Sequence, residues 1–336
     1  GIRDVAVTGV QTCALPISLL LLGSVPLDSA AEVFRDFGEP LGAYLKYLPD
    51  GETGPRSHWV SRLHYQVFAL HPDLEVLRRP RLDNGVERLN PHDPSDGWQF
   101  RLKPGVESFV LGNPGWRLGF ARDALNSFAL FDALQQSGRL PAHLRFQVSM
   151  PMVNSVVGVR TFPVAGDLEK VRMGYLASLQ AELEAIVARI PHDRLAIQWD
   201  CASETLEASR TRTLAGIERN LSQVYALSPR IPAAVALGYH FCFGTLGSWP
   251  SFAPESLDET VKLANAYVEA SERRVDYLHI PSLDRDDEIY FSPLANLRPG
   301  GARVYLGVVH NMSRYARRML AARKHLASRA AWARSE

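Results

Sequence analysis

The residues best suited to bind a metal are in the His-x-Cys run formed by His240, Phe241 and Cys242. In an extended strand, alternate side chains point to the same side, so His240 and Cys242 would face one point. Imidazole and thiolate are ligands that Zn²⁺ prefers in proteins. The run predicts a zinc site held by His240 and Cys242. The alternative is a core cysteine packed beside a hydrogen-bonded histidine.

A second cluster of reactive side chains lies in the loop at residues 50–56, which reads DGETGPR. Its glycines allow a tight turn and a close approach of the backbone to a ligand. We expect Glu52 and Arg56 to hold the opposite charges of one substrate. The alternative is a loop braced by an ion pair between Glu52 and Arg56.

Ionisable and other reactive side chains follow several short apolar runs of the chain. In a barrel of parallel strands, the carboxyl ends of the strands surround the active site. We therefore expect one site to collect the side chains that follow these runs: Ser24, Asp50, Glu52, Asp200, Cys201, His240, Cys242, His279, His310 and Asn311.

The elements that would position these residues alternate between strands and helices, which is the pattern of a parallel sheet. The predicted strands cover residues 19–24, 43–48, 98–102, 144–150, 195–199, 233–239, 275–280 and 304–309. A long helix over residues 167–190 would be capped by Asp167. The pattern predicts an α/β fold, a single-domain (β/α)8 TIM barrel with an irregular insertion around residues 71–119. An open doubly wound sheet is the alternative, but no G-x-G-x-x-G run follows the first strand.

Charge and cysteine content narrow the class of protein. Lys and Arg number 37 against 36 Asp and Glu, and this balance argues against a nucleic-acid partner. Three cysteines give no disulfide framework, which favours a cytoplasmic location. No apolar run approaches the roughly 18 residues of a membrane span, so no membrane partner is expected. The oligomeric state does not follow from composition.

The first residues of the chain resemble a remnant of DNA sequencing rather than part of a fold. Residues 7–17, VTGVQTCALPI, match the translation of a sequencing-library adapter. We expect residues 1–18 to be an artefact outside the fold and residues 19–336 to form the barrel. Cys13 would then have no structural role.

Several separated motifs resemble those of the cobalamin-independent methionine synthase catalytic barrel, within the wider group that includes uroporphyrinogen decarboxylase. Residues 22–26 (LGSVP) resemble its I-G-S-x-P motif, and residues 50–60 (DGETGPRSHWV) resemble its H-G-E-x-x-R-x-D-M-V stretch. Residues 197–200 (IQWD) are similar to I-Q-I-D, and residues 240–242 (HFC) to the H-x-C zinc pair. Residues 304–310 resemble G-V-Y-D-I-H, so the shared order runs from about residue 22 to residue 310.

The resemblance implies roles for particular residues. Ser24, Glu52 and Asp200 would hold an amino-acid substrate, and His310 would transfer a proton. The physical chemistry agrees, because two carboxylates suit an ammonium group and a histidine relays protons near neutral pH. His310 and Asp200 are thus the catalytic candidates, while Ser24, Glu52, Arg56 and Asp200 are the candidates for substrate binding.

The chain departs from that family at the zinc site. Residues 277–281 (YLHIP) contain no Glu, and no cysteine follows Cys242. Because structural and catalytic zinc sites need more than two ligands, a replacement is required. Cys201, which stands where the family has a Glu, is the predicted replacement, and His279 or Asp284 are further candidates.

These observations predict a methionine-synthase-like methyltransferase that moves a methyl or alkyl group to or from a small thiol or amino-acid-like substrate. Zn²⁺ would assist by binding and deprotonating the thiol, since the thiolate is the nucleophile. Two alternatives stay open. One is a metal-free lyase or decarboxylase of the same barrel group, with Asp200 and the histidines as acid and base. The other is a non-catalytic barrel that binds a small ligand, because fold alone does not decide chemistry.

Overall fold

A computed structural model describes residues 18–58, 60–87, 89–111, 118–246, 249–283, 285 and 287–307. Its strands are β1 (Tyr47–Pro49), β2 (Leu74–Arg78), β3 (Gln99–Leu102), β4 (Arg145–Pro151), β5 (Leu195–Cys201), β6 (Ala236–Phe241), β7 (Tyr277–Pro281) and β8 (Arg303–Gly307). Six of them form a parallel sheet in the order β1-β4-β5-β6-β7-β8, and β2 and β3 form a separate antiparallel pair.

The parallel sheet curls, and the start of the described chain lies between its two edges. Leu19 forms a single parallel bridge with Leu45, just before β1. The Ser18 hydroxyl lies 3.2 Å from the hydroxyl of Tyr305 on β8. The described residues therefore form a half-barrel of six strands, and residues 19–24 contribute one bridge where a full strand is predicted.

The prediction of a barrel strand at residues 98–102 is wrong. This segment is β3, and it pairs antiparallel with β2 through partners such as Leu74 and Leu102. Its side chains alternate between exposed Arg101 and buried Phe100 and Leu102. Half-exposed alternation suits an antiparallel pair that faces water, whereas a parallel barrel strand is buried on both faces. The stretch at residues 71–119 thus carries a hairpin of its own.

Helices alternate with the strands along the described chain. They are α1 (Ala30–Val33), α2 (Glu39–Leu41), α3 (Ser61–Gln66), α4 (Phe120–Gln136), α5 (Val153–Val156), α6 (Ala165–Val187), α7 (Ala202–Thr211), α8 (Leu214–Leu227), α9 (Asp258–Ala270) and α10 (Glu288–Phe291). A π-helical segment at Phe34–Gly38 joins α1 to α2. No helix among the described residues is both long and apolar enough to cross a bilayer.

The predicted cap of the long helix is wrong. Helix α6 begins after Val164, and the Asp167 carboxylate instead accepts a hydrogen bond of 2.9 Å from the Leu102 amide on β3. Asp167 therefore ties the hairpin to the helix. By contrast, Ser29 and Thr213 cap α1 and α8 with their side-chain oxygens, as such residues commonly do.

A layer of aromatic rings fills the inner side of the parallel sheet near the amino ends of its strands. The Tyr47 and Tyr277 rings stack with centroids 4.6 Å apart, and Tyr277 meets Tyr305 edge to face. The Tyr277 ring occupies the space beside Gly238 that a side chain would need. The layer closes this end of the half-barrel, so polar groups gather at the opposite, carboxyl end.

Candidate active site

A layer of hydrogen-bonded polar side chains lies next to the tyrosine layer, and we call it the polar floor; it consists of Gln147, Ser149, Gln198 and Asp200. Gln198 on β5 donates a hydrogen bond of 2.8 Å to Asp200, and its amide also contacts Ser149 at 3.2 Å. The Tyr277 hydroxyl and the Gln147 amide both donate to the Gln198 oxygen at 3.2 Å. The network fixes the orientation of the Asp200 carboxylate, whose side chain is buried.

Gln147 and Ser149 were not singled out by sequence reasoning. Both occupy inward positions of β4, whose outward neighbours are apolar. A polar residue at alternate positions of an otherwise apolar strand was the signal that identifies them.

Ser24 and Glu52 come together although 28 residues separate them. The Ser24 hydroxyl donates to a Glu52 carboxylate oxygen at 2.5 Å. Gly23 adopts φ +145°, and a side chain there would begin only 3.2 Å from Ser149 and 3.4 Å from Glu52. The positive φ favours a glycine here, and the two neighbouring oxygens leave little room for a side chain. The structure thus joins the first segment, the loop after β1 and strand β4 at one point.

The pKa of the Glu52 carboxyl is raised to about 7, mainly by burial and also by the nearby Asp50 charge, while the hydrogen bond from Ser24 and the charges of Arg56 and Arg62 oppose the rise. A carboxyl with such a pKa changes charge close to neutral pH. Acids and bases at active sites are commonly tuned in this way. Glu52 itself has a positive φ of 49°, a conformation that non-glycine residues seldom adopt.

The loop after β1 is braced by Asp50 rather than by Glu52. Arg56 donates to both carboxylate oxygens of buried Asp50, at 2.8 and 3.2 Å. Ser127 on α4 donates to Asp50 at 2.7 Å, and the Glu52 amide does so at 3.0 Å. Asp123 lies 3.7 Å from Arg56 on its other side. The ion pair of this loop therefore joins Arg56 to Asp50, which leaves the Glu52 carboxylate with Ser24.

Two histidines face each other across adjacent strands. His240 on β6 is the register partner of His279 on β7, and their Nδ1 atoms lie 2.8 Å apart. One ring therefore donates this hydrogen bond and the other accepts it. Burial lowers the pKa of His240 to about 4. His279 lies against Gly307, where a Cβ would be only 2.7 Å from its Nε2 atom.

Cys242 comes directly after β6, and its amide donates a hydrogen bond of 3.4 Å to the Cys201 carbonyl. The two-residue period of an extended strand predicts that its side chain faces the same side as that of His240. Its sulfur accepts a hydrogen bond of 3.3 Å from the Gly244 amide. Burial raises the pKa of Cys242 to about 12, so without a metal it is a neutral thiol at pH 7. The His-x-Cys run therefore presents two neutral groups of the kinds that bind zinc.

Cys201 lies on the other face of the sheet. It is fully buried in the outer core with Trp199 and Phe241, and burial raises its pKa well above the usual range. Its neighbour Asp200 faces inward, and adjacent residues of a strand face opposite sides. The fold therefore separates Cys201 from His240 and Cys242.

The described part of the chain contains no group of three His, Cys, Asp or Glu side chains placed to hold a metal ion. His310 and Asp284 lie outside the described residues. His240 and Cys242 alone do not complete a zinc site, which uses more protein ligands. Zinc binding stays a prediction.

A small pocket opens at the carboxyl ends of β1 and β4. Its lining combines charged, aromatic and polar side chains: Glu52, Arg56, Arg62, Phe120, Ser149 and Pro151. Arg62 was missed by sequence reasoning, because an arginine on a short helix usually lies on its solvated face. Here its side chain is buried.

Comparisons with known proteins bear on the fold. No protein-family model matches the chain, and no curated protein matches it in sequence. The structure of a B12-independent methionine synthase from Shewanella sp. W3-18-1, solved in complex with selenomethionine, is similar over 93% of this chain and 86% of that one. The TM-score is 0.57 and the sequence identity is 11%.

A protein from Listeria monocytogenes, proposed to be a vitamin-B12 independent methionine synthase, is similar over 89% of this chain and 75% of that one. Its TM-score is 0.48 and the sequence identity is 14%. The Shewanella structure supports an α/β fold with a curled parallel sheet for this chain, and a closed eight-stranded barrel stays a prediction. Membership in the methionine synthase family stays a prediction.

Proposed function

We propose that this chain is a methionine-synthase-like transferase that moves a methyl or alkyl group to or from the thiol of an amino-acid-like substrate. One observation carries the proposal most directly: Glu52 in the loop after β1 and Asp200 on β5 both lie near Ser149, at the carboxyl ends of the strands. Ser149 contacts the Gln198 amide that holds Asp200, and it also lies beside Gly23 and Glu52. The Shewanella protein of the same fold was solved with an amino acid, selenomethionine.

The carboxylates of Glu52 and Asp200 would bind the ammonium group of the substrate. A cation beside Glu52 would favour the charged form of this carboxyl and lower its pKa from about 7. Asp200 already accepts a hydrogen bond from Gln198, which fixes its direction. Ser24 orients Glu52 in the same way. The substrate would therefore meet carboxylates whose positions are set before it binds.

Transfer requires the thiol to lose its proton, because the thiolate is the nucleophile. The His240–His279 pair can accept a proton from the thiol. Burial lowers the pKa of His240, but an adjacent thiolate would offset that effect. As the new S–C bond forms, the bond from carbon to the donor breaks and its electron pair leaves with the donor. We also assign a proton-transfer role to His310, which lies outside the described residues.

The resemblance implies Zn²⁺, for which His240 and Cys242 would be ligands, and a bound Zn²⁺ would stabilise the thiolate. The described residues do not supply a complete ligand set. The proposed deprotonation of the thiol therefore relies on the histidine side chains of this chain.

A second candidate function is a metal-free lyase or decarboxylase reaction in the same mouth. The contact between His240 and His279 favours it, because two imidazoles joined through their Nδ1 atoms could pass a proton from one to the other. In that reaction the histidines and Asp200 would serve as acid and base.

Zinc content separates these two functions. We would measure zinc per chain in the wild type, Cys242→Ser and Cys201→Ser, purified under reducing conditions with zinc supplied. About one zinc per chain, lost in Cys242→Ser and kept in Cys201→Ser, would support the zinc-assisted transferase. Cys201→Ser is the matched control, because Cys201 lies on the opposite face. A wild type without zinc would refute zinc assistance and leave metal-free chemistry.

Ligand binding tests the role assigned to Glu52. We expect L-methionine to bind the wild type and to bind Glu52→Ala at least about tenfold more weakly, because a charge-assisted hydrogen bond is lost. Glu75→Ala, at an exposed carboxylate on β2, is the control and should bind as the wild type does. Equal binding by Glu52→Ala and Glu75→Ala would contradict the assignment of Glu52.

A further inference from the structure

Arg62 is a buried cation without a carboxylate partner among the described residues. Its residue surface is 5% exposed, and Nη1 donates one long hydrogen bond of 3.4 Å to the Leu118 carbonyl. Its guanidinium carbon lies 5.0 Å from the centre of the Phe120 ring. A guanidinium has five N–H donors and stays charged in proteins. Most of the binding capacity of Arg62 is therefore unused by the fold.

Asp123 and Glu52 attract the Arg62 charge from a distance, but their direct contacts are with other groups. Asp123 lies 2.9 Å from Arg122 and 3.7 Å from Arg56. Glu52 accepts its hydrogen bond from Ser24. A buried charge without a partner is costly, so such a group is normally paired or has a ligand to bind.

Arg56 differs from Arg62 in this respect, although both line the same pocket. The Arg56 guanidinium is bound by both oxygens of Asp50, and Asp123 approaches its other side. Its charge is therefore balanced within the loop. Of these two arginines, Arg62 is the one that retains a positive charge for a ligand.

We propose that Arg62 binds the carboxylate of the small molecule that enters this pocket, while Glu52 binds its ammonium group. The two side chains line one pocket and carry the opposite charges of a zwitterion. A planar guanidinium pairs with a carboxylate through two parallel hydrogen bonds, and the Phe120 ring holds that plane in place. The zwitterionic ligand class rests on the proposed function. Arg62 thus takes the role that the sequence predicted for Arg56.

The test compares two ligands that differ in one charge. Calorimetry would measure the binding of L-methionine and of L-methioninamide, which keeps the ammonium and lacks the carboxylate. The proteins are the wild type, Arg62→Met, Arg62→Lys and Arg79→Met. Arg79 is the matched control, because it also lies over an aromatic ring, Trp98, but is exposed and paired with Glu87.

We expect the wild type and Arg79→Met to prefer methionine by at least about tenfold, and Arg62→Met to lose the preference. Arg62→Lys keeps the charge but not the planar fork, so it should retain part of the preference. It also serves if Arg62→Met does not fold. If Arg62→Met prefers methionine over methioninamide as strongly as the wild type does, the proposal is overturned. If only Arg62→Lys folds, the same undiminished preference in that variant would overturn it.

A further measurement separates this inference from the proposed function. If methionine does not bind the wild type, the amino-acid substrate is refuted and Arg62 is tested with sulfate alone. Sulfate stabilises proteins generally, so the comparison is between variants. A larger rise in melting temperature for the wild type and Arg79→Met than for the Arg62 variant would support an anion site at Arg62. Equal rises would overturn it.

Discussion

The ion pair between Asp50 and Arg56 holds the loop that presents Glu52, and a double-mutant cycle would test this role. The variants are Asp50→Asn, Arg56→Met and the double substitution. The side chains of Asp50 and Arg56 are only 8% and 20% exposed, so breaking the pair leaves a charge with little access to water. Loss of one partner from a buried pair costs about 3–5 kcal/mol.

We expect about 3 kcal/mol for each single substitution, at the lower end of that range, because each partner keeps another contact. Arg56 keeps Asp123 at 3.7 Å, and Asp50 keeps Ser127 at 2.7 Å. The double variant carries neither charge, so its cost should fall short of the sum by about 2 kcal/mol. Urea unfolding would measure the free energy of unfolding of all four proteins.

The exposed pair between Glu75 and Arg101 provides the control, since its side chains are 43% and 44% exposed. Its coupling energy should not exceed about 1 kcal/mol. The reasoning would be refuted if Asp50→Asn cost less than about 1 kcal/mol, or if the two single costs added to within about 0.5 kcal/mol. Arg56 would then be available to a ligand after all.

Three further predictions concern the mouth of the half-barrel. Affinity for L-methionine should rise as the pH increases through about 7, because the Glu52 carboxyl loses its proton in this range. Calorimetry should find no such rise for Glu52→Gln. Gly307→Ala would place a Cβ 2.7 Å from His279 Nε2, so it should lower the free energy of unfolding by about 1–3 kcal/mol. The substitution should also shift the NMR signals of the His279 imidazole, and unshifted signals would contradict this packing. Iodoacetamide should label native Cys242 slowly and Cys201 more slowly still, because burial raises the pKa of both thiols. Peptide mass spectrometry would measure the labelling rates, and fast labelling of Cys201 would show that this residue is not buried.

Much of the strand layout followed from local sequence. The apolar runs at residues 144–150 and 195–199 correspond to β4 and β5, each within two residues at either end. Continuous apolar runs mark strands buried on both faces, and this is a property of each run by itself. The direction of His240, which meets His279 on the neighbouring strand, followed in the same way from the two-residue period of a strand. The same period, applied to Asp200 and Cys201, already places these neighbours on opposite faces.

The pairing of elements could not be predicted in this way. Residues 98–102 do form a strand, but its partner is β2 and not a strand of the parallel sheet. Two strands of similar composition differ in partner because distant segments compete for their backbone hydrogen bonds. Sequence periodicity contains no information about that competition.

The sequence by itself determined which reactive side chains follow the strands and which side of a strand they face, because both depend on local periodicity. The tertiary structure decided their partners: Arg56 binds Asp50, Glu52 binds Ser24, and His240 meets His279 across two strands. It also decided that Arg62 is buried beside the pocket. Charge pairing and burial depend on distances between segments far apart in the chain, and only the packed fold sets those distances.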